Sequence, residues 1–118
     1  MLKQKRIYDQ IETSDGYRML VDRLWPRGIS KEKAKLDSWE KNIAPTNELR
    51  KAFHHGEIDF ATFKNRYLEE ISMNEERFEF LKKVKTELEK GNVTFLFAAK
   101  SETENQASVL AEWVLTKI

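Results

Sequence analysis

Tyr17-Arg18-Met19-Leu20-Val21-Asp22-Arg23-Leu24-Trp25-Pro26-Arg27-Gly28 is the stretch that decides how this chain is read. Met19, Leu20 and Val21 in succession suit a strand buried on both faces. The run then breaks into an aspartate, two arginines, a tryptophan, a proline and a glycine. Pro26 has no N–H for a strand ladder, and Gly28 admits backbone angles closed to other residues. Fixed charges and a large aromatic therefore surface where a buried strand ends, which is where open α/β sheets hold their ligands. The expectation is a strand over 17–24 with a ligand site in the loop after it.

Upstream, Arg6 to Ile11 alternates moderately and reads as a short edge strand. Glu12-Thr13-Ser14-Asp15-Gly16 is a turn, marked by its Asp-Gly pair. Five residues are too few for a parallel crossover, so the first two strands are expected to pair antiparallel. Downstream, Ser30–Lys35 suits one helical turn. Leu36–Ile43 suits a short strand or an irregular segment anchored by Trp39 and Ile43. Thr46 is a good N-cap for a helix carrying Leu49, Ala52 and Phe53, with Gly56 as its stop. Ile58–Ser72 places Phe60, Phe63, Tyr67 and Ile71 at helical spacing. Asn74 is expected to cap a further helix whose face is Phe78, Leu81, Val84 and Leu88. That helix ends at Lys90-Gly91-Asn92.

Val93–Ala98 is the clearest strand, and Ser101–Glu104 after it fits a capping box for a last helix. That helix presents Ala107, Leu110, Ala111, Val114 and Ile118. The order implies an α/β domain spanning residues 1–118: a small mixed sheet of three to four strands, packed with four to five helices. The strand over 93–98 and the C-terminal helix close the chain.

Composition narrows the function classes. Of 118 residues 40% are hydrophobic and 11% aromatic, enough for a packed core. Lysine and arginine number 21 against 20 acidic residues, a formal +1. A charge that balanced exerts no global pull on nucleic acid or membrane, so any anion preference must be local. The absence of cysteine excludes disulfides, thiol catalysis and thiolate metal sites. The N-terminal residues lack the apolar core of a signal peptide, so a cytoplasmic location is expected. No His/carboxylate spacing suits a metal, and neither metal nor cofactor is expected.

Arg23 and Arg27 form the first candidate site, two forked, always-charged groups for a phosphate or carboxylate. Trp25 would be its stacking wall, and Asp22 an acid/base or an orienter of arginine. Strand alternation puts Arg23 and Trp25 on one face and Asp22 on the other. The structural alternative is an Asp–Arg pair closing the sheet edge over a core Trp25. Lys100 and Asn105 form a second candidate, a point charge and an amide where a strand runs into a helix N-terminus. If the two strands are parallel neighbours, Arg23, Arg27 and Lys100 surround one concavity with Asn105 at its side. His54 is a second acid/base candidate, against the simpler reading that it complements a helix C-terminus. Arg50, Arg66 and Tyr67 would extend the site if their helices pack near it.

Val21-Asp22-Arg23-Leu24-Trp25-Pro26-Arg27-Gly28 resembles the signature of the YeaO-like proteins, a bacterial family within domain of unknown function 488. Further agreement comes in order from Trp39, Ala44-Pro45-Thr46, Leu49-Arg50, Phe53-His54, Phe63, Tyr67 and the strand 93–98. Asn105-Gln106-Ala107 and Leu110-Ala111-Glu112 complete it. The resemblance implies a compact α/β fold and a cytoplasmic protein, and no particular activity. An acidic residue is common in the family where this chain has Ser101, so an acidic role there does not carry over.

The leading expectation is therefore a protein that binds an anionic small molecule at the loop after strand 17–24, with an enzymatic role open. A nucleic-acid-associated module using arginine and tryptophan, or a protein-interaction domain anchored on Trp39 or Trp113, are the alternatives.

Overall fold

Four strands form one sheet in the computed structural model, which describes residues 1–118: β1 (Leu2–Arg6), β2 (Tyr17–Leu20), β3 (Ser38–Trp39) and β4 (Val93–Phe97). Their order is β1-β4-β2-β3, and every neighbouring pair is parallel. β4 is inserted between the first two strands, with Met19 opposite Phe95 on one side and Gln4 opposite Phe95 on the other. Every β4 residue is buried, as a central parallel strand requires. The sheet is thus wholly parallel rather than mixed, and the expected antiparallel pairing of the first two strands does not occur. The cause is a displaced boundary. β1 runs over Leu2–Arg6 where Arg6–Ile11 is expected, sharing only Arg6 with it, so ten residues rather than five carry the chain back to β2. β1 does sit at a sheet edge, where its lysines discourage further pairing.

The two faces of the sheet are covered differently. Met19 and Val21 of the β2 segment, with Val93, Phe95 and Phe97 of β4, face the main core. Helices α2 (Asn47–His54), α3 (Phe60–Met73), α4 (Arg77–Lys90) and α5 (Gln106–Leu115) pack there, through Leu49, Phe63, Tyr67, Ile71, Phe80, Val84 and Leu110. Leu20 and Leu96 face the other way. They are covered by Ile7, by Ala34 of the one-turn α1 (Lys31–Ala34), and by Trp25 and Trp39. Toward the amino ends of the strands that second face carries a buried polar network. Asp15 accepts from Arg18 at 2.6 Å and from Lys5 at 2.9 Å. Burial pushes its carboxyl up, but hydrogen bonds from Lys5, Glu12 and Arg18 outweigh that and hold it below the usual range.

Local signals hold for most elements, with four shifts. Thr46 caps α2 by accepting from the Leu49 N–H at 3.3 Å, as expected. α4 starts at Arg77. Asn74 still organises the turn, its Oδ1 accepting from the Glu76 N–H at 2.9 Å. Its buried face is Phe80 and Val84, while Phe78 lies two residues, about 200°, around the helix and is exposed. α5 is capped not by Ser101 but by Asn105, whose Oδ1 accepts from the Ser108 N–H at 2.9 Å. Ser101 accepts from the N–H groups of Thr103 and Glu104 in a separate turn one step earlier. Ile118 lies beyond α5 and is exposed.

Candidate functional site

The carboxyl ends of β2 and β4 are neighbours, so the loops leaving them share one edge of the sheet, as the sequence reading required. The Val21 N–H donates to the Leu96 carbonyl at 3.0 Å, and there the ladder stops. Asp22 follows immediately and ties the edge together. Its Oδ2 accepts from the Ala98 N–H at 2.8 Å and its Oδ1 from Gln106 Nε2 on the first turn of α5. The residue is only 9% exposed. Burial pushes its carboxyl up to about 6, against the Ala98 and Gln106 hydrogen bonds and the Arg50 charge, which pull it down. At neutral pH it is a buried, mainly ionised carboxylate.

Beside this anchor is a cavity of about 250 Å³. α2 contributes Arg50, Phe53 and His54 to its wall, Arg50 and His54 being four residues apart and hence on one helix face. The β4–α5 loop and α5 contribute Ser101, Glu104 and Gln106. Arg23, Pro45, Phe63 and Ala99 complete it, with the Phe53 and Phe63 rings stacked at 4.6 Å. Arg23 is partly committed to structure: its Nε donates to the Pro45 carbonyl at 2.9 Å and its Nη2 to the Ala44 carbonyl at 2.8 Å. Arg50 is different. Its Nε is buried with no hydrogen-bond partner, and no protein acceptor engages the rest of the guanidinium. Two clefts of about 520 and 560 Å³ are larger, and neither has a buried polar side-chain atom without a partner in its wall. Lys83 pairs with Glu40 at 2.7 Å in one, and Glu70 accepts from Thr46 in the other.

The structure brings together only part of the expected site. Arg23 and His54 line the cavity, and Asp22 braces it through Gln106. Trp25 lies on the opposite face of the sheet from the main core. Its Nε1 donates to the Ile29 carbonyl at 2.7 Å, and its ring packs edge-on to Trp39 at 5.3 Å. Alternation failed here because the chain leaves the strand at Leu20, four residues earlier than expected, so Arg23 and Trp25 no longer share a face. Arg27 is exposed outside the cavity, held only by its carbonyl, which accepts from the Tyr8 hydroxyl at 3.0 Å. Lys100 is exposed and lines no part of the cavity. Asn105 is fully buried as a cap, donating from Nδ2 to the Ser101 carbonyl at 2.9 Å.

Arg66 is exposed on the 520 Å³ cleft, and the buried Tyr67 hydroxyl donates to the Ile43 carbonyl at 2.7 Å. Trp39 and Trp113 are half-buried against the two cores. Gln106 is not read as a site residue from the sequence; its signals are its place in the Asn105-Gln106-Ala107 agreement with the family and on the first turn after the most apolar strand.

Strands that are all parallel, helices on the main face and a charged crevice at the carboxyl edge define an α/β protein with a ligand-type cavity where such sheets place it. The chain belongs to the family whose model is described as "Inactive DUF488-N3 subclade", which matches residues 1–118. It is 50% identical to "Uncharacterized protein YeaO" of Escherichia coli strain K12 over 110 residues, 93% of each chain. It is 46% identical over 66 residues, 56% of each chain, to "Uncharacterized protein Rv3073c" of Mycobacterium tuberculosis H37Rv and to "Uncharacterized protein Mb3100c" of Mycobacterium bovis. The resemblance to the YeaO-like proteins is thereby borne out. No solved structure matches the chain. No helix is long and apolar enough to cross a membrane.

Proposed function

We propose that this protein binds a small molecule carrying a phosphate or carboxylate in the cavity between α2 and the β4–α5 loop. Arg50 carries the reading. Buried polar groups in proteins are nearly always partnered, and a guanidinium offers five N–H donors in a fork that matches planar oxyanions. An arginine with a buried, unpartnered Nε on a cavity wall is a donor set waiting for an acceptor. Arg23 supports it with the guanidinium edge not used on the 44–45 carbonyls, and His54 with an imidazole on the same helix face. The cavity lies just under the usual range for drug-sized ligands, which bounds the ligand to a compact metabolite. The family description as inactive favours binding without turnover. In that reading Asp22 is a positioning group, both of its oxygens being occupied by protein donors.

The test is calorimetric titration of inorganic phosphate and small carboxylates into the wild-type protein, Arg50→Met and Arg27→Ala. Arg50→Met should lose measurable binding, while Arg27→Ala binds as wild type does. Anion binding that survives Arg50→Met, or its absence from the wild type at millimolar concentrations, would refute the reading.

A further inference from the structure

We infer that the ligand of this cavity carries a hydrogen-bond donor, a hydroxyl or an amine, beside its anionic group, and that the Gln106 amide oxygen receives it. The inference rests on the anion reading above and adds the second half of the ligand.

An ionised carboxylate can only accept hydrogen bonds. Asp22 takes the Ala98 N–H on one oxygen and leaves the other for Gln106. The side-chain amide must therefore turn its NH2 toward Asp22, and its Oε1 is the end left over. No protein donor reaches that oxygen, although Gln106 forms part of the cavity wall. The reverse orientation would set two acceptors against each other. Glu104, on the same side of the cavity, is a second acceptor. Ser101 already accepts from two backbone N–H groups, so its hydroxyl retains chiefly its proton to offer. The cavity is thus polarised. Donors come from α2, as Arg50 and His54, and acceptors from the β4–α5 loop and the start of α5, as Glu104 and Gln106.

A plain anion satisfies only the first side. A short hydroxy acid, an amino acid or a polyol phosphate satisfies both, and such molecules suit a space of about 250 Å³.

Asp22 sets the direction of this recognition without touching the ligand, and that makes it testable. In Asp22→Asn the side-chain carbonyl keeps the Ala98 N–H, and the new NH2 faces Gln106. The Gln106 amide must then reverse and offer its own NH2 to the cavity. Two matched pairs of probes separate the cases: lactate against pyruvate, and glycerol 3-phosphate against propyl phosphate. Inorganic phosphate serves as the anion control.

Wild-type protein should bind the hydroxyl-bearing member of a pair about tenfold more tightly, the ratio one buried hydrogen bond supplies. Asp22→Asn should abolish or reverse the lactate preference while still binding inorganic phosphate. Equal binding within both pairs, or a preference unchanged by Asp22→Asn, overturns the inference and leaves the anion reading standing. Failure of every probe, inorganic phosphate included, overturns both.

Discussion

Asp22 should make this protein less stable at neutral pH than its other interactions would allow, and replacing it with asparagine should reveal by how much. Its carboxyl titrates at about 6 in the folded protein against 3.8 in the open chain. The folded state thus holds this proton more tightly than the unfolded state does. Stability contributed by the protonated form is complete below about pH 4 and is lost as pH rises through 6. A shift of roughly two units corresponds to about 3 kcal/mol at pH 8, of which about half has already been lost at pH 5. Asp22→Asn keeps an acceptor for Ala98 and a partner for Gln106 but cannot ionise. Urea unfolding of both proteins at pH 5 and pH 8 isolates the effect. Carboxylates held below their usual range, such as Asp15, act equally in the two proteins and cancel in the difference. The variant should gain on wild type by about 1 kcal/mol between pH 5 and pH 8, and in total should melt several degrees higher at pH 8. A stability difference that does not change with pH would show that Asp22 is not held as a desolvated carboxylate. The Gln106 orientation would stand, because a carboxylate of ordinary pKa is ionised across this range and still only accepts.

Gly16 has φ of 64°, and a Cβ there would run into the Asn92 carbonyl oxygen that accepts the Tyr17 N–H at 2.8 Å. Gly16→Ala should therefore destabilise the fold by at least about 2 kcal/mol, read from its urea midpoint, because both the backbone angle and the close approach oppose it. Tyr67→Phe should cost about 1–2 kcal/mol, since it strands the buried Ile43 carbonyl while leaving the ring packing intact. Arg50→Met, by contrast, breaks no protein hydrogen bond and removes only the charge that helps hold the Asp22 carboxyl down, so it should cost no more than about 1 kcal/mol. A large loss there, measured by thermal unfolding, would make Arg50 structural.

The cavity and the instability carried by Asp22 share one cause. A carboxylate that bridges two strand ends and a helix is expensive to desolvate, and a buried guanidinium edge without an acceptor is a second uncompensated group. Both stand at the sheet edge, where open parallel sheets expose backbone and loops to ligands. Such departures from full satisfaction concentrate at functional sites, where stability is sacrificed to preorganisation.

Local chemistry was legible in the order of residues wherever neighbours along the chain decide the outcome. The apolar run 93–97, the Thr46 cap and the stripe Phe63–Tyr67–Ile71 all follow from spacing, whereas the parallel adjacency that joins the two loops was only a condition there and is set by the fold. The resemblance carried by 21–28 holds across the whole chain. What tertiary structure alone decided is where strands stop and which faces their ends present. β1 ends at Arg6 because its pairing with β4 ends there, and that choice turns an expected antiparallel pair into two parallel strands flanking a third. β2 ends at Leu20, so Arg23 turns to the helices while Trp25 turns to the opposite face, which no alternation rule reports. Arg50 and Gln106, more than fifty residues apart, meet only because α2 and α5 pack on the same side of the sheet. Hydrogen bonding and periodicity act over a few residues and are written in the sequence. The burial of Asp22 and the solitude of Arg50 depend on groups brought together from remote segments, and they exist only once the chain is folded.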